Sequence, residues 1–215
     1  MRKRITTVIT AVATVCLLSS CAATGLLGQG GQRHETSPIG EAPTPSTSNA
    51  GSEPTKTEVP AFHFASGDLV LEAVDRATVK NNMFNPCEEI SVEEFAAVGY
   101  SSDRKTRRDA VRNLNVCRLD SIEDPSEYAA LIAGPGNREE FRNTGLLLDE
   151  NPSQRIPQMY VTRPIKAEEN ICYATVDTAR GQFSVAIDDL FGDTPRQELC
   201  SQAVQILESF YNINK

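Results

Sequence analysis

Residues 171–188 read ICYATVDTARGQFSVAID, and this run decides the fold. Two β-rich stretches, 172–176 and 182–187, flank a short turn at Arg180-Gly181, which is the pattern of a β-hairpin. A few residues further on, Thr194 is placed to cap a helix, Pro195 to open it and Gln197 to complete a capping box. Leu199, Ala203, Ile206, Leu207 and Phe210 then recur at helical spacing and give this C-terminal helix one apolar face. Cys172 lies in the first strand and Cys200 beside that face, so a bridge between them would pin the helix onto the hairpin. The expected class is therefore α+β: a single disulfide-bonded domain whose antiparallel sheet is packed by a C-terminal helix.

Working back toward the N-terminus, Ser91 followed by Glu94 is a second capping box, with Ile90 and Phe95 placed to staple it and Gly99 to stop a short helix. Residues 62–64 and 69–71, separated by Ser66-Gly67, predict another hairpin. Residues 158–162 predict a strand ending at Pro164. Residues 128–132 are ambiguous: Asp124-Pro125 favours a helix start, whereas the short apolar run favours a strand.

The first sixty residues differ in kind. Arg2, Lys3 and Arg4 precede an uncharged run over residues 5–18, long enough for a signal peptide and short for a membrane span. Leu18-Ser19-Ser20-Cys21 follows, an aliphatic residue and two small ones before a cysteine, which is the bacterial lipobox. Residues 1–20 are therefore expected to be a lipoprotein signal peptide and Cys21 the lipidation site. The only non-protein group expected is the covalent diacylglycerol and acyl chain, such as palmitate, on that sulfur. Each buried CH₂ adds about 0.8 kcal/mol of membrane affinity, so two or three chains anchor stably. Residues 21–60 are rich in Gly, Pro, Ser and Thr and read as a lipidated disordered tether, spanning about 35 Å r.m.s.. Residues 61–215 are the expected globular domain. The expected location is the extracytoplasmic face of the cell membrane, with the membrane a partner through the lipid.

Composition agrees. The chain of 215 residues has a net charge of −8, and loss of residues 1–20 removes three cations and no anion. An acidic chain of this kind is not expected to bind nucleic acid. Of six cysteines, Cys16 leaves with the signal and Cys21 carries lipid. Cys87, Cys117, Cys172 and Cys200 remain, an even number as in an exported disulfide framework. None is in C-x-x-C spacing, which argues against a zinc ribbon or a redox motif. Three pairings are open; 87–117 with 172–200 is favoured because each closes a local loop of about 30 residues.

Asn85-Pro86-Cys87 before a capped helix, Cys117-Arg118-Leu119, Cys172 with Val176 and Gly181, and Leu199-Cys200 with Ala203 together resemble the actinobacterial lipoproteins of the domain of unknown function 3558 family. The resemblance covers about residues 85–210 and the lipobox. The family commonly has Cys-x-Trp at its second cysteine, and this chain has no tryptophan. The resemblance implies the 87–117 and 172–200 pairing and an α+β domain, and it implies no catalytic residue. The general shape is also similar to the PsbP/Mog1 class of α/β domains, an analogy of fold that carries no function.

Few residues point to chemistry. His34 falls in the tether, and His63, between Phe62 and Phe64, reads as a strand residue rather than an oriented base. The pairs Glu88-Glu89, Glu93-Glu94, Glu168-Glu169 and Asp188-Asp189 read as solvated charge. Asp188, Asp189 and Asp193 lack the Gly and closing Glu of a calcium loop. The one basic cluster is Arg104, Lys105, Arg107, Arg108 and Arg112. Its plain reading is an exposed loop or helix face. Its functional reading is an anion contact for lipid head groups, an envelope polymer or a protein partner. The expected function is non-enzymatic: a membrane-anchored binding or accessory module of the envelope. The alternatives are an envelope hydrolase with two buried carboxylates converging in a cleft, a ligand carrier with an apolar pocket, and a structural surface protein without a pocket.

Overall fold

Ser91 begins the clearest local structure. Its hydroxyl accepts the Glu94 N–H at 3.2 Å, and the Glu94 carboxylate accepts the Ser91 N–H at 2.8 Å, closing the capping box of a short helix over Val92–Ala97. The Gly99 N–H bonds back to the Ala96 carbonyl as the chain turns out of that helix. Ile90 and Phe95, the staple residues, are both buried.

The structure, a computed structural model, describes residues 59–123, 128–166, 168–189 and 192–215. Cys21, His34, the signal and nearly all of the tether lie outside these residues, as do Asp124 and Pro125. In chain order the elements are β1 (Ala61–Phe64), β2 (Gly67–Val70), α1 (Arg76–Asn82), α2 (Pro86–Glu89), α3 (Val92–Ala97) and β3 (Tyr100–Ser101). They continue with β4 (Arg107–Asp109), β5 (Leu114–Ser121), β6 (Tyr128–Gly134), α4 (Arg138–Asn143) and β7 (Leu147–Asp149). The last are β8 (Tyr160–Thr162), β9 (Ile171–Thr178), β10 (Gly181–Asp188) and α5 (Arg196–Asn212). The class is α+β as expected, and every strand pairing is antiparallel.

The main sheet runs β3-β5-β6-β10-β9-β8-β7, with β4 also paired to β5. Two antiparallel runs are thus joined side by side through β6 and β10, in register from Gln182 opposite Gly134 to Asp188 opposite Tyr128. This settles residues 128–132: they are strand, flanked by β5 and β10, which pair their backbone on both sides, whereas so short a helix would leave most of its end groups without partners. The β1–β2 hairpin forms a second small sheet. It joins the main one by a bridge from Leu71 to Thr178 and by the Ala179 N–H to the Val70 carbonyl.

Alternation sorts the sheet's two faces. Cys117, Leu119, Leu131, Ala174, Val176, Phe183, Val185 and Ile187 point to one side and are buried. There they meet α5, which buries Leu199, Ala203, Ile206, Leu207, Phe210 and Tyr211. Phe183 is the hub of an aromatic cluster. Phe62 and Phe84 meet it edge-on at 5.3 Å and Phe64 at 6.3 Å. Two bridges close this side: Cys87–Cys117 ties α2 to β5, and Cys172–Cys200 ties β9 to α5.

One expected cap is corrected. Helix α5 starts at Arg196, with Pro195 in the cap position and no side-chain cap bond. Thr194 is engaged elsewhere: its N–H donates to Asp189 Oδ2 at 2.6 Å and its carbonyl accepts from Asn170 at 2.8 Å. These bonds hold Thr194 outside the helix, and Gln197 is left exposed.

Turn chemistry at β9–β10 is strict. Gly181 has φ of +103°, and a Cβ there would stand 2.5 Å from the Gly134 carbonyl oxygen. Arg180 beside it reaches Glu89 through both guanidinium nitrogens, one at 2.9 Å, and donates to the Asn82 carbonyl. The hairpin tip thereby fastens α1 and α2.

Glu94 does more than cap. Its Oε1 also accepts the Ala65 N–H at 2.7 Å and the Asn214 amide at 3.1 Å, linking α3 to the β1–β2 turn and the C-terminus. Burial raises this carboxyl, but the donors from Ser91, Ala65 and Asn214 outweigh it and hold it below the ordinary 4.5. A depressed carboxyl contributes stability that is complete above its unfolded value and lost as pH falls through its folded value. Glu94→Gln is therefore expected to lower stability at pH 7 by about 1–3 kcal/mol. The gap from wild type in urea unfolding should narrow below pH 4.5; a gap that stays constant to pH 3 would contradict the role of the ionised form.

Candidate functional site

The other face of the sheet is not an ordinary wet face. Thr162, Thr175, Gln182, Ser184 and Ala186 on it are buried although most are polar. Thr175 and Ser184 satisfy each other across the β9–β10 pair with hydroxyls 2.9 Å apart. Small side chains at these positions leave a hollow above β6, β9 and β10.

Helix α4 walls one side of the hollow. Asn137 caps it by accepting the Glu140 N–H at 3.0 Å. Arg138 anchors it: the N–H donates to Asp177 Oδ2 at 3.1 Å, and the guanidinium donates to the Glu150 and Met159 carbonyls while lying over the Tyr160 ring. Tyr160 in turn donates its hydroxyl to Asp177 at 2.7 Å. Burial pushes Asp177 above the usual carboxylate range, more than the bonds from Tyr160 and Arg138 lower it. Burial, followed by the neighbouring Asp177, raises the Tyr160 hydroxyl as well. This linked set, with Tyr160 buried and Arg138 and Asp177 half-buried, holds the wall in place.

The opposite rim comes from the β4–β5 turn. Asp109 accepts the N–H groups of Val111 and Arg112 at 3.0 Å each, and Asn113 adopts φ of +56°. Arg112 is thereby brought to the edge of the hollow.

The result is a cleft of about 430 Å³. Its floor is Ile132, Thr175, Ser184 and Tyr173. Phe141, Leu146, Pro135 and Gly136 form one wall and Leu114 the other, with Pro164 and Ile165 at the mouth. Arg76, Arg112, Arg163 and Lys166 also line it, against Glu140 and Glu169. Arg76 pairs with Glu140, and Lys166 pairs with Glu169 at 3.3 Å. Cations outnumber carboxylates here in a chain whose net charge is −8. Burial raises the Tyr173 hydroxyl, followed by Glu169, while Arg112 opposes the shift.

A larger depression of about 750 Å³ lies beside Gly99 and Ser209. It is more open to solvent and touches only the sheet's edge, at Tyr100 and Ser121, so the cleft is the better candidate.

The basic residues singled out in sequence do not act as one patch. Arg104 donates to the Cys87 and Glu88 carbonyls. Arg107 pairs with Asp103 at 2.8 Å, Arg108 donates to Asn113, and Lys105 is exposed. Arg112 alone of the five lines the cleft; its Nε lies 3.6 Å from Asp109. His63 faces Asp68 across the β1–β2 pair at 2.8 Å. The consecutive carboxylates are dispersed: Glu89 is held by Arg180, Glu94 by its donors and Asp189 by Thr194. Asp188 is raised by burial, then by Glu169 and Asp189. Among the described residues no three His, Cys, Asp or Glu gather as a metal-ligand group, and no helix is long and apolar enough to cross a membrane.

These features define a disulfide-stapled α+β domain with a packed helix on one face of its sheet and a cleft on the other. The model of the family described as proteins of unknown function (DUF3558) matches residues 16–212, and the chain belongs to that family. No curated protein matches it, and no solved structure does.

Proposed function

We propose that the chain is an actinobacterial lipoprotein, held at the outer face of the cell membrane through Cys21, that binds a ligand in the cleft and catalyses no reaction. The cleft carries this reading: its volume falls in the range of small-molecule sites, and it combines an apolar wall with a few inward polar groups. The hydrolase alternative needs two buried carboxylates free to act as acid and base. The two that line the cleft, Glu140 and Glu169, are each in an ion pair with a cation of the same lining. Lipid confinement would raise the effective concentration of a weak binder for partners at the surface. The basic turn that carries Arg112 is the part that would meet an envelope polymer or head group.

A single preparation tests both halves. Wild type and Cys21→Ala are grown with labelled palmitate, and label is expected in wild type alone; equal labelling would end the anchor assignment. The wild-type protein is then oxidatively footprinted as isolated and again after delipidation and refolding. Phe141 and Tyr173 are expected to be protected only in the first state, and identical oxidation would end the binding assignment.

A further inference from the structure

Gln182 is nine-tenths buried, at 7% exposure, and lines the cleft. Its Oε1 has no hydrogen-bond partner among the described residues. A buried polar atom without a partner is costly, and native proteins keep few of them. The surroundings hold it in place. A Cβ on Gly136 would stand 2.7 Å from Oε1, and one on Gly134 would stand 3.3 Å from Nε2 and 2.4 Å from Leu114 Cδ2. Glycine at both positions leaves room for the amide between β6 and α4.

Beside this orphan acceptor the cleft offers apolar surface from Ile132, Phe141 and Leu146. The rim carries Arg112, Arg163 and Lys166, with Glu169 paired to Lys166, so cations are in excess there. The mouth also exposes aliphatic surface. Ile165, in the lining, is 77% exposed beside Lys166.

We infer that the cleft takes a small anionic amphiphile, with its apolar body on Ile132 and Phe141, an N–H or O–H donor on Gln182 Oε1, and its acidic group at the Arg112 rim. This rests on the binding reading above and adds the ligand's class. Gln182 is the specificity element. A ligand without a donor leaves its oxygen buried and unpaired, whereas a donor completes it. The excess of cations at the rim, in a chain whose net charge is −8, favours an acidic head group there.

The test uses the mature chain from residue 21 carrying Cys21→Ala, so that no detergent is needed. Two probes share one anilinonaphthalene body and one N–H: 1-anilinonaphthalene-8-sulfonate is anionic and N-phenyl-1-naphthylamine is neutral. The sulfonate is expected to bind saturably at one site and about fivefold more tightly than the neutral probe. Arg112→Glu should weaken the sulfonate by about tenfold and leave the neutral probe unchanged. Gln182→Met should weaken both probes while raising the melting temperature of the free protein, a combination that a purely structural glutamine would not produce. Ile132→Trp should block both probes. Displacement of the sulfonate by 10-hydroxydecanoate, which carries an O–H donor away from its carboxylate, supports a free acid as the natural source, and displacement by dihexanoyl phosphatidylglycerol supports a membrane lipid. Equal affinity for the two probes, unmoved by Arg112→Glu, overturns the anionic class and leaves the binding reading standing. Absence of saturable binding in a folded wild type, or binding unaltered by Ile132→Trp, overturns the ligand and its site together. The surface variant Arg112→Glu keeps the test decisive if the Ile132 variant fails to fold.

Discussion

Phe183→Ala is expected to be the most damaging single substitution outside the disulfides, at about 3–5 kcal/mol. Phe183 is fully buried at the centre of β10. Its ring is met edge-on by Phe62, Phe64 and Phe84, which come from β1 and from the segment between α1 and α2. Truncation removes the partner of three rings at once. The rings come from separate elements tied to a rigid sheet, so the hollow cannot close by a local shift. Each edge-on pair adds about 0.5–1.5 kcal/mol beyond area burial. Total stability in a domain is about 5–15 kcal/mol, so the variant should unfold at markedly lower urea. A loss below about 1 kcal/mol would mean that the cluster is loosely packed.

Replacing Cys172 and Cys200 together by alanine is expected to cost about 3.5 kcal/mol, chiefly by freeing the unfolded chain. The bridge closes a loop with a separation of 28 residues and joins β9 to the start of the second turn of α5. Helix α5 has no side-chain cap, so the covalent tie stands where local bonding is weakest. The Cys87–Cys117 bridge has a separation of 30, so the loop-entropy term is nearly the same for both. Any difference between the two double-alanine variants in urea unfolding therefore reports native contacts rather than loop length. If removal of Cys172–Cys200 leaves the midpoint unchanged, the bridge is not a stabilising device. The expected extra fraying at the N-terminus of α5 is visible by amide exchange at Leu199 and Ala203.

Much of the secondary structure could be read in advance, and the reasons are local. The Ser91–Glu94 box, the Gly99 stop, the Arg180-Gly181 turn and the apolar stripe of α5 each depend on residues within a few positions of one another. Their chemistry acts before any long-range contact forms. Thr194 marks the boundary of that reasoning. Its side chain suits a cap, but Asp189 and Asn170 hold its backbone outside the helix. Residues 128–132 were undecidable for the same reason. A strand with partners on both sides and a short buried helix share one apolar pattern, and the neighbours β5 and β10 decide between them.

The cleft was hardly legible. One signal existed: Thr175 and Ser184 alternate with core residues yet are small, as suits a face that is covered rather than washed. The pattern alone does not say what covers it. Arg112 shows the converse, since five basic residues read as one patch are divided by Asp103, Asn113 and the α2 carbonyls into separate duties.

Sequence alone settled the Ser91–Glu94 cap, the hairpin turn, the helix stripe and the α+β class, because these follow from bonds and periodicities that span a turn or a hairpin. Strand order, the second role of Glu94 as a link to Ala65 and Asn214, and the orphaned oxygen of Gln182 came only with the folded chain. Each is a meeting of segments distant in sequence, fixed by which surfaces bury together and by no residue's own propensity.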